Sequence, residues 1–234
     1  MSLTEKKVPK PFDDADPRSA TLQERLDIGF EEIRERWKSV EPEFDHDTLT
    51  ILGHPVMERW EDDYMRTLAM IAGRNKGRVL EIGFGMGISA RHLQKEAIDE
   101  HWIIEANAGV LEAAKAFTAE AKSPVKLMHG FWEEIVLKLE GAFFDGILFD
   151  TYPLSAEEVH KNHFNFFREA HRLLKPSGVL TYYSDEVASF SPDHLDALKD
   201  AGFMEITGVV CNVNPPEDCK YWTSKTILAP IVIK

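Results

Sequence analysis

The spacing of apolar positions changes repeatedly along the chain, and each change marks an element. Val79, Leu80 and Ile82 form a short, β-prone apolar run, as in a strand buried on both faces. Runs at residues 101–104, 125–129, 143–149 and 179–183 predict further strands. Residues 88–96, 108–122, 164–174 and 194–201 carry helical spacing between them. Strands alternating with helices predict an α/β fold with a mostly parallel sheet. The last strands are expected at residues 205–211 and 226–233, as an antiparallel pair at the sheet edge. Pro215 and Pro216 mark the loop between them.

Before residue 76 the pattern is helical. Residues 1–20 are polar, carry Pro9, Pro11 and Pro17, and read as a flexible arm. Thr21-Leu-Gln-Glu24 is a capping box. Leu22, Leu26, Phe30, Ile33, Trp37 and Val40 then predict one amphipathic helix, which packs on the domain or serves as a lid. Residues 49–55 read as an extended piece ending in a turn. A second helix is expected from Val56, with Met57, Trp60, Glu61, Tyr64, Met65, Leu68 and Ile71 on one face. Glu61 breaks that apolar stripe. Burying an ionised carboxylate alone is costly. It therefore pairs with Arg59 or Arg66, or it points into a pocket that receives a cation. The expected division is an arm at 1–20, a helical cap at 21–75 and a core at 76–234, together one structural domain.

Composition narrows the function. A chain of 234 residues suits one α/β domain. No apolar run reaches membrane-span length and the start lacks the apolar core of a signal peptide, so no membrane partner is expected. Two cysteines, Cys211 and Cys219, are no disulfide framework, and a cytoplasmic location is the simpler reading. A net charge of −13 repels phosphate, which argues against nucleic acid. The same charge suits a cationic substrate or serves solubility alone.

The chemistry gathers around residues 79–87. The first strand turns through Gly83, Gly85 and Gly87, where glycine permits positive φ and lets a ligand meet bare backbone. Glu105 ends the next strand, about 20 residues on, where a nucleoside's ribose hydroxyls would lie. Phe131 and Trp132 follow the third strand and either flank an adenine ring or fill core. Asp150 ends the next strand, where it caps a loop or acts at the reacting end. His160 and His163 read as surface helix residues, because a third zinc ligand is not evident nearby. No metal is expected.

Gly-x-Gly-x-Gly with Glu81 just before it resembles the first motif of S-adenosylmethionine-dependent methyltransferases. Val-Met-Glu-Arg-Trp-Glu at 56–61 and Asp-Thr-Tyr-Pro-Leu-Ser at 150–155 are more specific. With residues 51–55, 77–86, 98–105, 163–166 and 172–182, they are similar to guanidinoacetate N-methyltransferase and to the related fungal protein-arginine δ-N-methyltransferase. The resemblance implies a Rossmann-like class I methyltransferase fold, a seven-stranded sheet with helices on both faces and an antiparallel edge strand. It implies S-adenosylmethionine as donor, S-adenosylhomocysteine as product, and a small guanidino acceptor. The enzyme would be a monomer or homodimer.

The resemblance also assigns roles. Glu81, Gly83, Phe84, Gly85, Met86, Gly87, Ile88 and Ser89 would cradle the donor. Met57, Trp60 and Met65 would line its N-terminal side. Glu105, with Asn107 close by, would hold the ribose, and Phe131 and Trp132 the adenine. Glu61 and Asp150 would grip the guanidino group bidentately, with Asp150 touching the donor as well and accepting a proton. Tyr152, Asp185 and Glu186 complete the acceptor side. Ser184-Asp185-Glu186 stands where the family holds the acceptor's carboxylate with backbone amides. Two acidic side chains there would repel guanidinoacetate unless they point away, so an acceptor with a neutral or cationic tail is the expectation. The family's pattern is not matched before Ile51.

Overall fold

A computed structural model describes residues 17–234. The expected arm falls largely outside the described residues. The helix predicted from the capping box begins earlier and is broken in two: α1 spans Pro17–Ile28 and α2 spans Ile33–Trp37. Pro17 suits a first helical position, because its missing N–H has no partner to lose there. The break falls at Gly29 and Glu32, both with positive φ, which no continuous helix tolerates.

The stretch expected as a connection and an extended piece, together with the start of the helix expected from Val56, forms a small antiparallel sheet. Its strands are β1 (Glu43–Phe44), β2 (Thr48–Ile51) and β3 (His54–Glu58). The helix expected from Val56 begins only after a 3-10 turn over Arg59–Glu61, as α3 (Asp62–Gly73). Met57 therefore reaches the core from a strand and Glu61 from a turn. Tyr64, Met65 and Leu68 of α3 are fully buried, as their spacing predicts.

The main sheet holds β4 (Arg78–Ile82), β5 (Glu100–Glu105), β6 (Val125–His129), β7 (Phe144–Phe149), β8 (Leu174–Tyr182), β9 (Glu205–Asn212) and β10 (Thr226–Ile233). Helices α4 (Ile88–Leu93), α5 (Ala108–Thr118), α6 (Trp132–Ile135), α7 (Phe167–Leu173) and α8 (Pro192–Asp200) alternate with them. The strand order is β6-β5-β4-β7-β8-β10-β9. β10 runs antiparallel to both neighbours and sits one place in from the edge, which β9 forms.

Side chains alternate across the central strands, and two apolar cores result. Val79 joins the core that includes α3, while Leu80 and Ile82 join the one that includes α7. Gly146 lets α3 lie against β7, since a Cβ there would come within 1.9 Å of the Ala72 carbonyl oxygen. The order reverses between β4 and β7, and such a reversal opens a crevice at the strands' carboxyl ends.

Candidate active site

A cavity of about 1230 Å³, counted with its open mouth, lies at that crevice. The strand order divides its walls. Gly83 and Gly85 after β4, Glu105 at the end of β5, and Phe131 and Trp132 after β6 line one half. Asp150 and Tyr152 after β7, and Tyr183 and Asp185 after β8, line the other. Glu61 and Tyr221 also line it.

Close approach shapes the glycine half. Gly83 has φ +88°, and a Cβ on it would fall 1.9 Å from the Asp150 carbonyl oxygen. Met57 lies across the turn, its sulfur accepting the Met86 amide at 3.3 Å. Glu105 accepts the Phe84 amide at 2.9 Å on Oε2 and the Asn107 amide at 2.7 Å on Oε1. The Ala106 and Gly85 amides also approach the carboxylate. Burial raises the Glu105 pKa, with those amides pulling against it. Arg34 of α2 lies 4.1 Å from the Phe131 ring centroid, so that ring is covered from the N-terminal side.

The other half holds two carboxylates. Glu61 Oε1 accepts the Tyr221 hydroxyl and, at 2.9 Å, the Glu58 amide. With Oε1 occupied twice, Oε2 is the oxygen left for a ligand. The sequence alternatives Arg59 and Arg66 turn elsewhere, to the His46 carbonyl and to Asp63. Among the described residues, no hydrogen bond reaches the Asp150 carboxylate. Burial raises the Glu61 pKa, and the nearby Asp150 charge raises it further. Burial likewise raises that of Asp150, with Glu81 and Asp185 adding to it. Two destabilised carboxylates facing one void suit a planar cation with several N–H donors.

Several residues expected at the site lie outside the cavity wall. Ile82 lines it, so Glu81, one place back on β4, faces the opposite side of the sheet. There Glu81 accepts from the Ser89 hydroxyl and pairs with His101 at 2.8 Å, which fastens the glycine turn from below. Phe84 packs on Phe117, and Met86, Gly87 and Ile88 continue away from the void. Met65 is core. Trp60 stacks on Tyr221 and donates to Glu58. Asn107 caps α5 and donates to the Trp37 and Val40 carbonyls, which ties the N-terminal segment to the core. Glu186 accepts from Ser191 and pairs with His194.

His160 and His163 are buried, not on the surface. His163 stacks on Tyr182, and His160 bonds Asp185 at 2.7 Å. Asp185 thus does not face the cavity as a bare charge. Burial alone would raise its pKa, but His160, with help from Arg25, holds it at about 2.

A family model for guanidinoacetate N-methyltransferase matches residues 27–234. The chain belongs to that family. The match begins well before Ile51, so the family pattern reaches into the segment that looked unrelated. Protein arginine N-methyltransferase 2 of Yarrowia lipolytica is 31% identical over 144 residues, covering 58% of this chain and 30% of the relative. Its namesake in Saccharomyces cerevisiae is 30% identical over 137 residues, covering 55% and 32%. The chain thus spans about a third of the length of these curated relatives. A spermidine synthase bound to the transition-state analogue AdoDATO superposes with a TM-score of 0.60 at 17% identity, covering 80% of this chain and 66% of that one. The O-methyltransferase TomG of Streptomyces achromogenes, bound to SAM, gives 0.51 at 21% identity, covering 73% and 79%. The fold is that of the Rossmann-like class I methyltransferases.

Within this family member, Tyr221, Tyr183, Arg25 and Trp37 also line the cavity, and sequence reasoning did not single them out as site residues. Trp37 stacks on Tyr152 at 5.5 Å, and His54 bonds the Tyr152 hydroxyl at 3.0 Å. An aromatic pair, Tyr221-Trp222, in the loop before the last strand was the one available signal for Tyr221.

Glu61→Gln is expected to lower kcat/KM for a guanidino acceptor by about 10²–10³-fold, the effect of breaking a buried charge pair. The amide oxygen can keep the Tyr221 and Glu58 bonds, but the NH₂ then faces the acceptor's own donors. Donor affinity, measured by calorimetry, should stay near that of the unaltered chain. Among the described residues, no group of three or more His, Cys, Asp or Glu is placed to hold a metal ion, and no helix is long and apolar enough to cross a membrane.

Proposed function

We propose that the protein is an S-adenosylmethionine-dependent N-methyltransferase of guanidino compounds, with guanidinoacetate as the best-fitting acceptor and creatine as its product. The observation that carries this reading is the convergence of Glu61 and Asp150 on one cavity that begins at the bare backbone of Gly83 and Gly85.

The residues present fit the donor. Gly83 and Gly85 leave room for its amino-acid end, Glu105 for the ribose hydroxyls, and Phe131 with Trp132 for a purine. When bound, the donor supplies an electrophilic methyl carbon on a sulfonium. The chain's own groups do the rest. Glu61 Oε2 and the Asp150 carboxylate accept N–H bonds from the flat acceptor head and fix its plane. A guanidinium has no free lone pair while it is protonated and delocalised. Methylated nitrogen must therefore shed a proton, and Asp150 is the base placed to take it. Its raised pKa suits that task, because a base titrating nearer neutrality accepts a proton more readily. Holding the head at the methyl carbon supplies a further part of the acceleration.

This arrangement predicts a pH dependence. Both carboxyls must ionise to bind the cation, and both titrate above the ordinary carboxylate range. Acceptor kcat/KM should therefore rise through neutrality, up to about pH 8, and acceptor binding should release protons to the buffer. Calorimetry in buffers of different ionisation enthalpy checks this, and a flat profile would contradict it. In the ligand-free protein the sign reverses. The unfolded chain ionises first as pH rises, so the stability contributed by these groups, full at acid pH, falls across the same window.

The names of the curated relatives favour a second reading, in which the acceptor is an arginine side chain of a protein. The same clamp would hold it. One mass-spectrometric screen with isotope-labelled donor separates the two. Its acceptors are guanidinoacetate, arginine, agmatine, guanidine and an arginine-containing basic peptide. Guanidinoacetate is expected to be methylated fastest. Methylation of the peptide alone would replace the first reading with the second, and donor binding without transfer to any acceptor would remove both.

A further inference from the structure

The clamp accounts for the acceptor's head but not for its tail. Beyond Tyr152 the cavity wall is closed by Arg25 of α1. Arg25 is only 6% exposed. Its guanidinium carbon lies 5.1 Å from the Tyr152 ring centroid, so one flat face is taken. Its Nε is shut off from solvent and has no hydrogen-bond partner among the described residues. A buried donor left without a partner is rare in a folded chain, and more costly on a charged group than on a neutral one. This one sits on a cavity wall, where a ligand can satisfy it.

The neighbouring charges favour an anion. Asp185 and Glu158 also line the cavity, but His160 already engages Asp185 at 2.7 Å and Glu158 accepts the Leu154 amide at 3.0 Å. Glu186 turns away to Ser191 and His194. The acidic segment that predicted a cationic tail is thus taken up internally. Arg34 also lines the cavity, but it is more exposed and pairs with Glu133 at 2.9 Å. Tyr183 also lines the cavity, and its hydroxyl is another buried group without a hydrogen-bond partner among the described residues.

We propose that Arg25 is the specificity-determining residue for the acceptor tail and binds a carboxylate there, with the Tyr183 hydroxyl as a second donor. The inference rests on the guanidino-methyltransferase reading above and narrows its acceptors to guanidino acids. It places tail recognition on the N-terminal helix, a segment separate from the strand ends that hold the head.

The test compares guanidinoacetate with ethylguanidine, which carries the same head and a methyl group in place of the carboxylate. The unaltered chain is expected to prefer guanidinoacetate. Arg25→Gln should raise KM for guanidinoacetate about tenfold or more, as loss of a charged hydrogen bond does. The preference over ethylguanidine should fall by a similar factor, with S-adenosylmethionine affinity retained. Arg25→Lys keeps the charge without the planar fork and should recover part of the preference. Equal losses on both acceptors would show that Arg25 only packs α1 and would overturn the proposal. So would a preference of the unaltered chain for ethylguanidine. Should Arg25→Gln fail to fold, Tyr183→Phe reads the same subsite, and an unchanged preference there overturns the proposal. No transfer to either acceptor, with the donor bound, would overturn the functional reading along with it.

Discussion

Asp150→Asn is expected to lower kcat by about 10²–10⁴-fold, the usual contribution of a positioned general base. The change is nearly isosteric, so the acceptor should still reach the cavity, though its head loses an anionic partner. What disappears is the acceptor for the proton. The prediction has a second arm. Asp150 is a carboxyl whose pKa is raised by burial and by the charges of Glu81 and Asp185. Its ionised form therefore destabilises the ligand-free fold, and the amide relieves that strain. At pH 8 the variant should melt at the same temperature as the unaltered chain or higher, with a shift of about 2–4 °C for each kcal/mol recovered. Lost turnover with undiminished stability is the mark of a functional group held at the fold's expense. A variant that loses turnover and melts lower would identify Asp150 as a structural residue instead.

Gly83→Ala should do the most damage to the fold near the site. Glycine is required there twice, for its φ of +88° and for the 1.9 Å approach of a hypothetical Cβ to the Asp150 carbonyl oxygen. Backbone cannot step aside as a side chain does. β4 and β7 would have to part where Asp150 N–H bonds the Ile82 carbonyl at 2.9 Å. A loss of roughly 3 kcal/mol or more follows from combining strained backbone with overpacking. Denaturant melts measure it, and donor affinity should fall in parallel because the cradle and the strand ends move together. By contrast, the Cβ of Gly85→Ala would meet the Met57 sulfur at 3.0 Å, a side-chain atom that can shift, and should cost less.

The sheet was legible because buried parallel strands leave apolar runs, and those runs depend on local pattern alone. The glycine turn and Glu105 were legible for a related reason, since the chemistry sits within or just after such runs. The first 75 residues were harder. Met57 and Glu61 fall at helical spacing by coincidence of a strand followed by a 3-10 turn, and no periodicity separates those cases. Glu81 was misplaced because a motif names residues without saying which face of the strand each occupies. His160 and Asp185 looked like surface and site residues taken singly. Their pairing joins segments 25 residues apart, which a single sequence does not reveal. Tyr221 reaches Glu61 across 160 residues, and Arg25 arrives from a helix whose full extent the capping box did not mark.

The order of the last two strands carries a consequence for biosynthesis. β9 is made before β10 but lies outside it, so β9 has no neighbour to pair with until β10 is made. Tyr221 travels in the link between them. The residues of the nucleoside cradle are all in place by Trp132, whereas the grip on Glu61 waits for Tyr221.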